Sequence, residues 1–306
     1  MACFHPLTGY KAPGGGITFN RNTGFRELQI KVSCGRCIGC RLERQRDWAI
    51  RCIHEAQMSK DKDGVPRNAF LTLTYNDDQI PEDHGLVVKH WQDFAKKLRH
   101  HWGAFRFMHC GEYGDLNFRP HYHALIFGHD FHQDSVTLKG SASSHPLKAS
   151  ASIAEMWDHG FHSIGQVTFD SAAYVASYCT KKITGDQAEQ AYTRIDKDTG
   201  EVWVVPPEYA TMSRRPGLGT SWFEKYWKDV YPDNFVILNG QKVKPPAFYD
   251  KLLEKNNPQL AKEMKNQRKK KIKKQTFNYT PDRLRVREQV LKAKTISRKK
   301  QHGISI

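Results

Sequence analysis

Two histidines at a spacing of two, His121 and His123, stand at the head of the run RPHYHALIFG (119–128). Side chains alternate between faces along a strand, so both imidazoles share one face with Leu125 and Phe127, while Tyr122, Ala124 and Ile126 take the other. The preceding run FRFMHC (105–110) also alternates, and GEYGDLNFRP (111–120) is rich in turn residues. A hairpin between the two runs would bring Glu112 beside the histidines. Two imidazoles and one carboxylate form a donor set for a divalent metal ion.

A second cluster lies in SAAYVASYCTKK (171–182), whose composition predicts a helix. Tyr174, Tyr178 and Lys181 then fall at i, i+4 and i+7 on one helix face. Ala172, Val175, Ala176, Cys179 and Ile183 form an apolar side expected to pack on a sheet, with the two phenols directed elsewhere.

A third cluster is CxxCxxC, formed by Cys34, Cys37 and Cys40 with Gly35 and Gly39 between them. Glycine beside cysteine permits the tight turns that wrap a chain around a tetrahedral metal. A closed zinc site needs a fourth ligand: Cys3, Cys52, His5 and His54 are candidates, and Cys3 is preferred. The spacing does not complete a four-cysteine iron–sulfur motif. The seven cysteines are expected to be reduced rather than paired as disulfides.

Taken in order, FLTLTY (70–75), RPHYHALIF (119–127) and YVASYCTKK (174–182) resemble the motif order of the HUH endonucleases, which include replication initiators, relaxases and related transposases. GEYGDLNFRPHYHALIFG, CGRCIGCRLERQRDWAIRC and the paired tyrosines extend the likeness, over residues 1–235, to the replication initiation proteins of gokushovirus-type phages of the Microviridae. The resemblance implies a metal-dependent, site-specific endonuclease that nicks single-stranded DNA at a replication origin and starts rolling-circle synthesis. In that reaction a tyrosine joins the 5′ phosphate and frees a 3′ hydroxyl, and a second tyrosine on the same helix allows strand rejoining. His121, His123 and Glu112 would hold Mg²⁺ or Mn²⁺, the imidazoles favouring manganese. Tyr174 and Tyr178 would be the nucleophiles. Lys181, three residues beyond Tyr178, would stabilise phosphate charge, and Ser177 holds the same offset from Tyr174, which ranks Tyr178 ahead. Two other readings stay open: a relaxase or transposase of the same superfamily, and a noncatalytic zinc-dependent nucleic-acid-binding protein.

The elements that must position these groups follow from periodicity. Residues 41–58 read as a helix with an apolar side at Leu42, Ala49, Cys52, Ile53 and Ala56. The strand at 70–75 puts Phe70, Thr72 and Thr74 on one face and Leu71, Leu73 and Tyr75 on the other. Val88, Trp91, Phe94 or Ala95, and Leu98 mark an amphipathic helix. Residues 1–20 read as an irregular lead-in, 25–33 as a strand, 129–152 as a surface loop, 153–159 as a short helix, 161–169 as a strand and 201–205 as strand-like. Trp222, Phe223, Tyr226 and Trp227 open an aromatic helix whose rings are expected in the core. This order predicts an α+β fold, an antiparallel sheet covered by helices. The resemblance makes it a ferredoxin-like HUH nuclease palm at 61–244, preceded by an N-terminal Cys-cluster extension and helix (1–60) and followed by a basic tail (245–306), helical or disordered.

The 306 residues carry a net charge of +16 with 39% hydrophobic residues, and mean hydropathy is −0.69. No apolar run is long enough for a membrane span, and residues 1–16 lack a signal-peptide core. The bacterial host cytoplasm is therefore the expected compartment. Residues 262–300 hold 16 Lys or Arg against 3 Asp or Glu, a net +13, leaving 32 against 29 elsewhere. Arg268, Lys269, Lys270, Lys271, Lys273 and Lys274 form its densest block, suited to phosphate neutralisation and counterion release on DNA. No GxxxxGK[ST] phosphate loop occurs. Unwinding and synthesis are accordingly expected from a host helicase and polymerase.

Overall fold

The computed structural model describes residues 3–114, 118–139, 146–181, 187–195 and 199–301. The chain forms two compact units, Met1–Arg44 with Lys262–Ile306, and Gln45–Ala261.

In the first unit β1 (Leu7–Lys11), β2 (Ile17–Thr18) and β3 (Gln29–Val32) pair as a small antiparallel sheet in the order β2–β1–β3. The stretch expected to be irregular thus holds two strands. They are too short to show alternation, and nonlocal pairing with β3 creates them. The helix α1 (Ile38–Met58) begins in this unit and continues into the second.

The second unit contains β4 (Asn68–Tyr75), α2 (Val88–Trp102), β5 (Arg106–Tyr113), β6 (Pro120–Phe127), β7 (Ser135–Thr137), β8 (Lys148–Ser150), α3 (Ala151–Met156), β9 (Gly160–Gly165) and α4 (Phe169–Lys181). It continues with α5 (Gln187–Tyr192), β10 (Thr193–Ile195), β11 (Val202–Val204), β12 (Tyr209–Met212), α6 (Thr220–Val230), β13 (Val236–Leu238), β14 (Gln241–Val243) and α7 (Ala247–Asn256). The chain ends in α8 (Pro258–Lys273), a 3₁₀ turn (Thr276–Tyr279) and α9 (Pro281–Gln301). Of the two states expected for the basic tail, the helical one is found.

Seven strands form the main sheet in the order β12–β5–β6–β4–β9–β8–β7, all pairs antiparallel. The α+β expectation is met. The surface loop expected at 129–152 instead contributes β7 and β8 to the sheet edge; at three residues each, and polar, they carry no alternation to read.

Alternation divides the core in two. Leu71, Leu73, Tyr75, Tyr122, Ala124 and Ile126 face α2 and α3, where Trp91, Phe94, Leu98 and Ile153 are buried with them. Met108, Cys110, Leu125 and Phe127 face the other way, onto Ala49 and Cys52 of α1 and Ala172, Val175 and Ala176 of α4. Phe223 of the aromatic helix is fully buried. Because helices cover both sheet faces, β6 is apolar along nearly its whole length.

Local signals set the ends of the key elements. The strand expected to run to residue 169 stops at Gly165, and α4 starts at Phe169. Thr168 Oγ1 accepts a hydrogen bond from the Ser171 amide (3.2 Å), and Ser171 Oγ accepts one from the Thr168 amide (2.9 Å). This reciprocal cap satisfies two amides that would otherwise lack partners.

Candidate active site and thiolate cluster

The hairpin β5–β6 sets Glu112 directly opposite His121, and on the other side of β6 Thr72 of β4 lies opposite His123. Directly paired residues share a face, so Glu112, His121, His123 and Thr72 all lie on the side covered by α4. The imidazole rings of His121 and His123 are 6.4 Å apart.

Glu112 is the hub. Its Oε1 lies 2.6 Å from His123 Nε2 and accepts a hydrogen bond of 2.6 Å from the Tyr174 hydroxyl. Thr72 Oγ1 is 3.0 Å from His123 Nδ1. That contact fixes the ring so that Nε2 is the nitrogen aimed at the carboxylate. Phe70, one face-step along β4, stacks on His123 (5.6 Å) and meets Tyr174 edge-on (6.4 Å).

His121 has a different environment. Burial, then the neighbouring His123, lowers its pKa, which favours a neutral ring. Its Nδ1 is buried and without a hydrogen-bond partner. A Cβ on Gly114 would stand 3.0 Å from His121 Nε2, so the absence of a side chain there lets the strand end pass close to the ring. A neutral imidazole with a vacant nitrogen, a second imidazole oriented from behind and a carboxylate are a donor set that fits a divalent ion. Glu112 here turns to His123 and Tyr174, and these three side chains are not gathered as tightly as the thiolates described below.

The two tyrosines differ. Their rings meet edge-on at 5.4 Å, yet Tyr174 is 37% exposed and Tyr178 only 3%. The expectation that both phenols point away from the apolar side is corrected: Tyr178 belongs to the core shared by α4, β5 and β6. Tyrosine on the flank of a helix stripe is long enough to reach inward, which helical spacing alone does not reveal. Lys181 is the last residue of α4, and its side chain lies outside the described residues.

Strand alternation placed Thr72 on the correct face without giving it a role. The missing information was register, because Thr72 and His123 are 51 residues apart and only strand pairing makes them neighbours.

The four sulfurs of Cys3, Cys34, Cys37 and Cys40 lie within 4.8 Å of one another. They form, among the described residues, the one such close cluster of three or more metal-binding side chains. Of the four candidates for the missing ligand, Cys3 is the one gathered. Cys52 is buried in the sheet core, His54 bonds the Tyr249 hydroxyl (2.8 Å), and His5 pairs with Glu288 (2.8 Å). No cysteine is in a disulfide. The amides of Cys34, Cys37 and Phe4 donate to the sulfurs of Cys3 (3.2 Å), Cys34 (3.3 Å) and Cys37 (3.4 Å). Although burial opposes ionisation, amide donors pull the Cys37 thiol down to about 6. This cluster has the composition and spacing to hold a structural metal such as zinc.

In the basic block, Lys269, Lys270, Lys271, Lys273 and Lys274 are exposed and Arg268 is half-buried at the end of α8.

Over residues 68–183 the sequence matches the family model for replication-associated proteins of the ORF2 type. It is 31% identical over 276 residues to Replication-associated protein VP4 of Bdellovibrio phage phiMH2K, covering 85% of this chain and 79% of that one. Replication-associated protein ORF2 of Spiroplasma virus 4 is 30% identical over 73% of this chain and 68% of its own. Replication-associated protein ORF4 of Chlamydia phage 1 is 26% identical over 75% of this chain and 55% of its own. No solved structure matches. No helix among the described residues is long and apolar enough to cross a membrane. The matched segment contains β4, β5, β6 and α4, and therefore every side chain of the Glu112 hub, and the likeness to the phage proteins runs well beyond it: the chain belongs to the phage replication-associated proteins, of the gokushovirus type that its motifs resemble.

Proposed function

We propose that this protein nicks single-stranded DNA at a replication origin through a tyrosine nucleophile and rejoins strands by transesterification, initiating rolling-circle replication. The observation that carries the reading is the hydrogen bond from Tyr174 to Glu112 beside His123. A phenol is a weak nucleophile near neutral pH until a base takes its proton, and Glu112 is already in place to accept it.

As Tyr174 Oη attacks phosphorus, its proton passes to Glu112, the bond from phosphorus to the 3′ oxygen breaks, and that oxygen leaves to become the 3′ hydroxyl. Thr72 holds His123 in orientation, and Phe70 packs both rings so that the phenol is not free to swing. His121, His123 and Glu112 would hold Mg²⁺ or Mn²⁺, which would polarise the phosphate oxygens. Tyr178, in edge contact with Tyr174, serves the second transfer, in which the freed 3′ hydroxyl attacks the phosphotyrosine and restores a phosphodiester. Sequence offsets favour Tyr178 through Lys181, whereas exposure and the Glu112 bond favour Tyr174 as first nucleophile, and we adopt the latter order.

The palm is assigned to 61–244, the exposed lysines of α8 to phosphate contacts, and unwinding and synthesis to a host helicase and polymerase in the host cytoplasm. The test is incubation with single-stranded oligonucleotides tiling the cognate circular genome plus Mn²⁺ or Mg²⁺, read as protein mobility on a denaturing gel. A metal-dependent adduct that the Tyr174→Phe, Tyr178→Phe double variant loses is the expected result. DNA binding without adduct formation across the whole genome set would instead favour a noncatalytic binding protein.

A further inference from the structure

The thiolate cluster does more than close on itself. In the first unit, Phe4 and Cys37 are buried together with Leu284 of α9, and Cys3, Cys34, Ile38, Cys40 and Leu291 pack around them. His5, next to this cluster, pairs with Glu288 of α9 at 2.8 Å. One side of α9 therefore rests on two short segments, 3–5 and 34–40, which are far apart in sequence and joined through cysteine side chains.

α9 has little else to hold it by. Val286, Val290 and Ile296 are exposed at 43–48%, and the helix carries Arg283, Arg285, Arg287, Lys292 and Lys294 along its described length. A helix with so many like charges and so narrow an apolar side is marginal unless tertiary packing supports it. The supporting surface is small, and four neutral thiols would supply only weak cohesion to it.

We propose that the four cysteines bind one zinc ion as a tetrathiolate, and that this ion fastens the basic helix α9 to the N-terminal segments. Tetrahedral zinc with four thiolates sets sulfurs about 3.8 Å apart. The sulfurs of Cys3 and Cys37 are 4.0 Å apart, and all four lie within 4.8 Å. The amides of Cys34, Cys37 and Phe4 already point at sulfur, as needed to stabilise the excess negative charge of such a centre. Zinc binding free energy becomes folding free energy where the site does not exist in the unfolded chain. Here it would be delivered to the surface on which Leu284, Glu288 and Leu291 sit. The inference is independent of the nicking chemistry, whose residues belong to the other unit.

The experiment uses the full-length protein. Elemental analysis gives zinc per chain, cobalt substitution reports ligand type through its thiolate charge-transfer bands, and timed trypsin digestion followed by mass spectrometry reports cleavage within α9. We expect one zinc per chain, a tetrathiolate cobalt spectrum, and cleavage in α9 that rises roughly tenfold or more when the metal is chelated and falls again when zinc is restored. Leu284→Asp keeps all four ligands, so it should retain zinc while freeing the helix; Cys34→Ser with Cys37→Ser should lose both. Absence of zinc and cobalt binding overturns the proposal. So does a zinc-loaded protein whose α9 is cleaved at the same rate before and after metal removal. Adduct formation on DNA, followed in the same samples, reads the nicking proposal separately.

Discussion

Tyr174 donates its hydroxyl to Glu112 Oε1 over 2.6 Å, the same oxygen that stands 2.6 Å from His123 Nε2. A single carboxylate oxygen therefore links a helix-borne phenol to an imidazole in the sheet. If Glu112 takes the phenol proton, Glu112→Gln keeps the shape of the side chain and removes the base. Adduct formation should fall by roughly 10²–10⁴, the usual contribution of a general base. Tyr174→Phe should suppress the first adduct as strongly, while Tyr178→Phe should leave it and impair strand rejoining. Quantifying adduct and religated circle with a labelled oligonucleotide separates these outcomes. Equal first-cleavage rates in Tyr174→Phe and the parent protein would sink the assignment.

Thr72 touches the reaction only through His123, to whose Nδ1 it lies at 3.0 Å. Thr72→Val keeps the β-branched shape that suits a strand but deletes the hydroxyl. It should weaken Mn²⁺ affinity or activity about 10–100-fold, the range typical of groups that orient a metal-binding histidine. Thr72→Ser should restore most of it. Manganese titration followed by electron paramagnetic resonance distinguishes this from a general loss of structure, which circular dichroism would reveal.

The legibility of these features followed their range in sequence. His121 and His123 share a face because of a two-residue spacing, and the hairpin that sets Glu112 opposite His121 is local, so both could be read directly. The gathering of Cys3 with Cys34, Cys37 and Cys40 was legible as chemistry, since three thiolates call for a fourth, although His5, His54 and Cys52 competed on paper. Register across β4 and β6 was not legible, nor were β7 and β8, because pairing energies between distant segments decide them. The burial of Tyr178 was missed for a related reason: a tyrosine on the border of a helix stripe can serve either side, and only the neighbouring sheet settles which.

Gly160 opens β9 with φ of +152°, and an added Cβ would come within 2.2 Å of the Asn76 amide nitrogen and 2.6 Å of the Thr74 carbonyl oxygen. Both contacts are backbone on β4 or at its end, the strand that carries Thr72. Gly160→Ala should destabilise the fold by on the order of 2 kcal/mol or more, through backbone strain with overpacking. Urea unfolding with an unchanged m-value is the signature of that loss. A midpoint equal to that of the parent protein would contradict the tight approach.

Acid should weaken the fold before carboxylates protonate. Burial pushes His54 down to about 3, and burial followed by the charge of His123 holds His109 well below the usual range. Both rings are therefore neutral when folded, whereas in the unfolded chain each titrates near 6.5. The unfolded state binds more protons below that value, so the stabilisation is complete above about pH 6.5 and declines as pH falls toward about 3 for His54. Each histidine can contribute a slope of up to about 1.4 kcal/mol per pH unit. Urea midpoints measured from pH 7.5 to 4.5 should drop steadily. Tyr249, which bonds His54 Nδ1 at 2.8 Å, should be unreplaceable by Phe without further loss, since the ring nitrogen would be left buried and unpaired.

The exposed lysines at the end of α8 offer a test that does not involve catalysis. Lys269, Lys270, Lys271 and Lys273 lie in the last turns of the helix, where positive charge also favours the helix C-terminus. If they serve only that role, replacing all four with Gln costs a little helix stability and leaves DNA affinity alone. If they neutralise phosphates, each lost contact removes about 0.7 from the slope of log affinity against log salt on single strands. The fourfold variant should therefore bind random single-stranded oligonucleotides more weakly at low salt, with a slope shallower by about 2–3, and converge on the parent protein at high salt. Fluorescence anisotropy across a salt series measures both quantities. An unchanged slope would assign the block to helix stability and solubility and would move the search for phosphate contacts elsewhere on the chain.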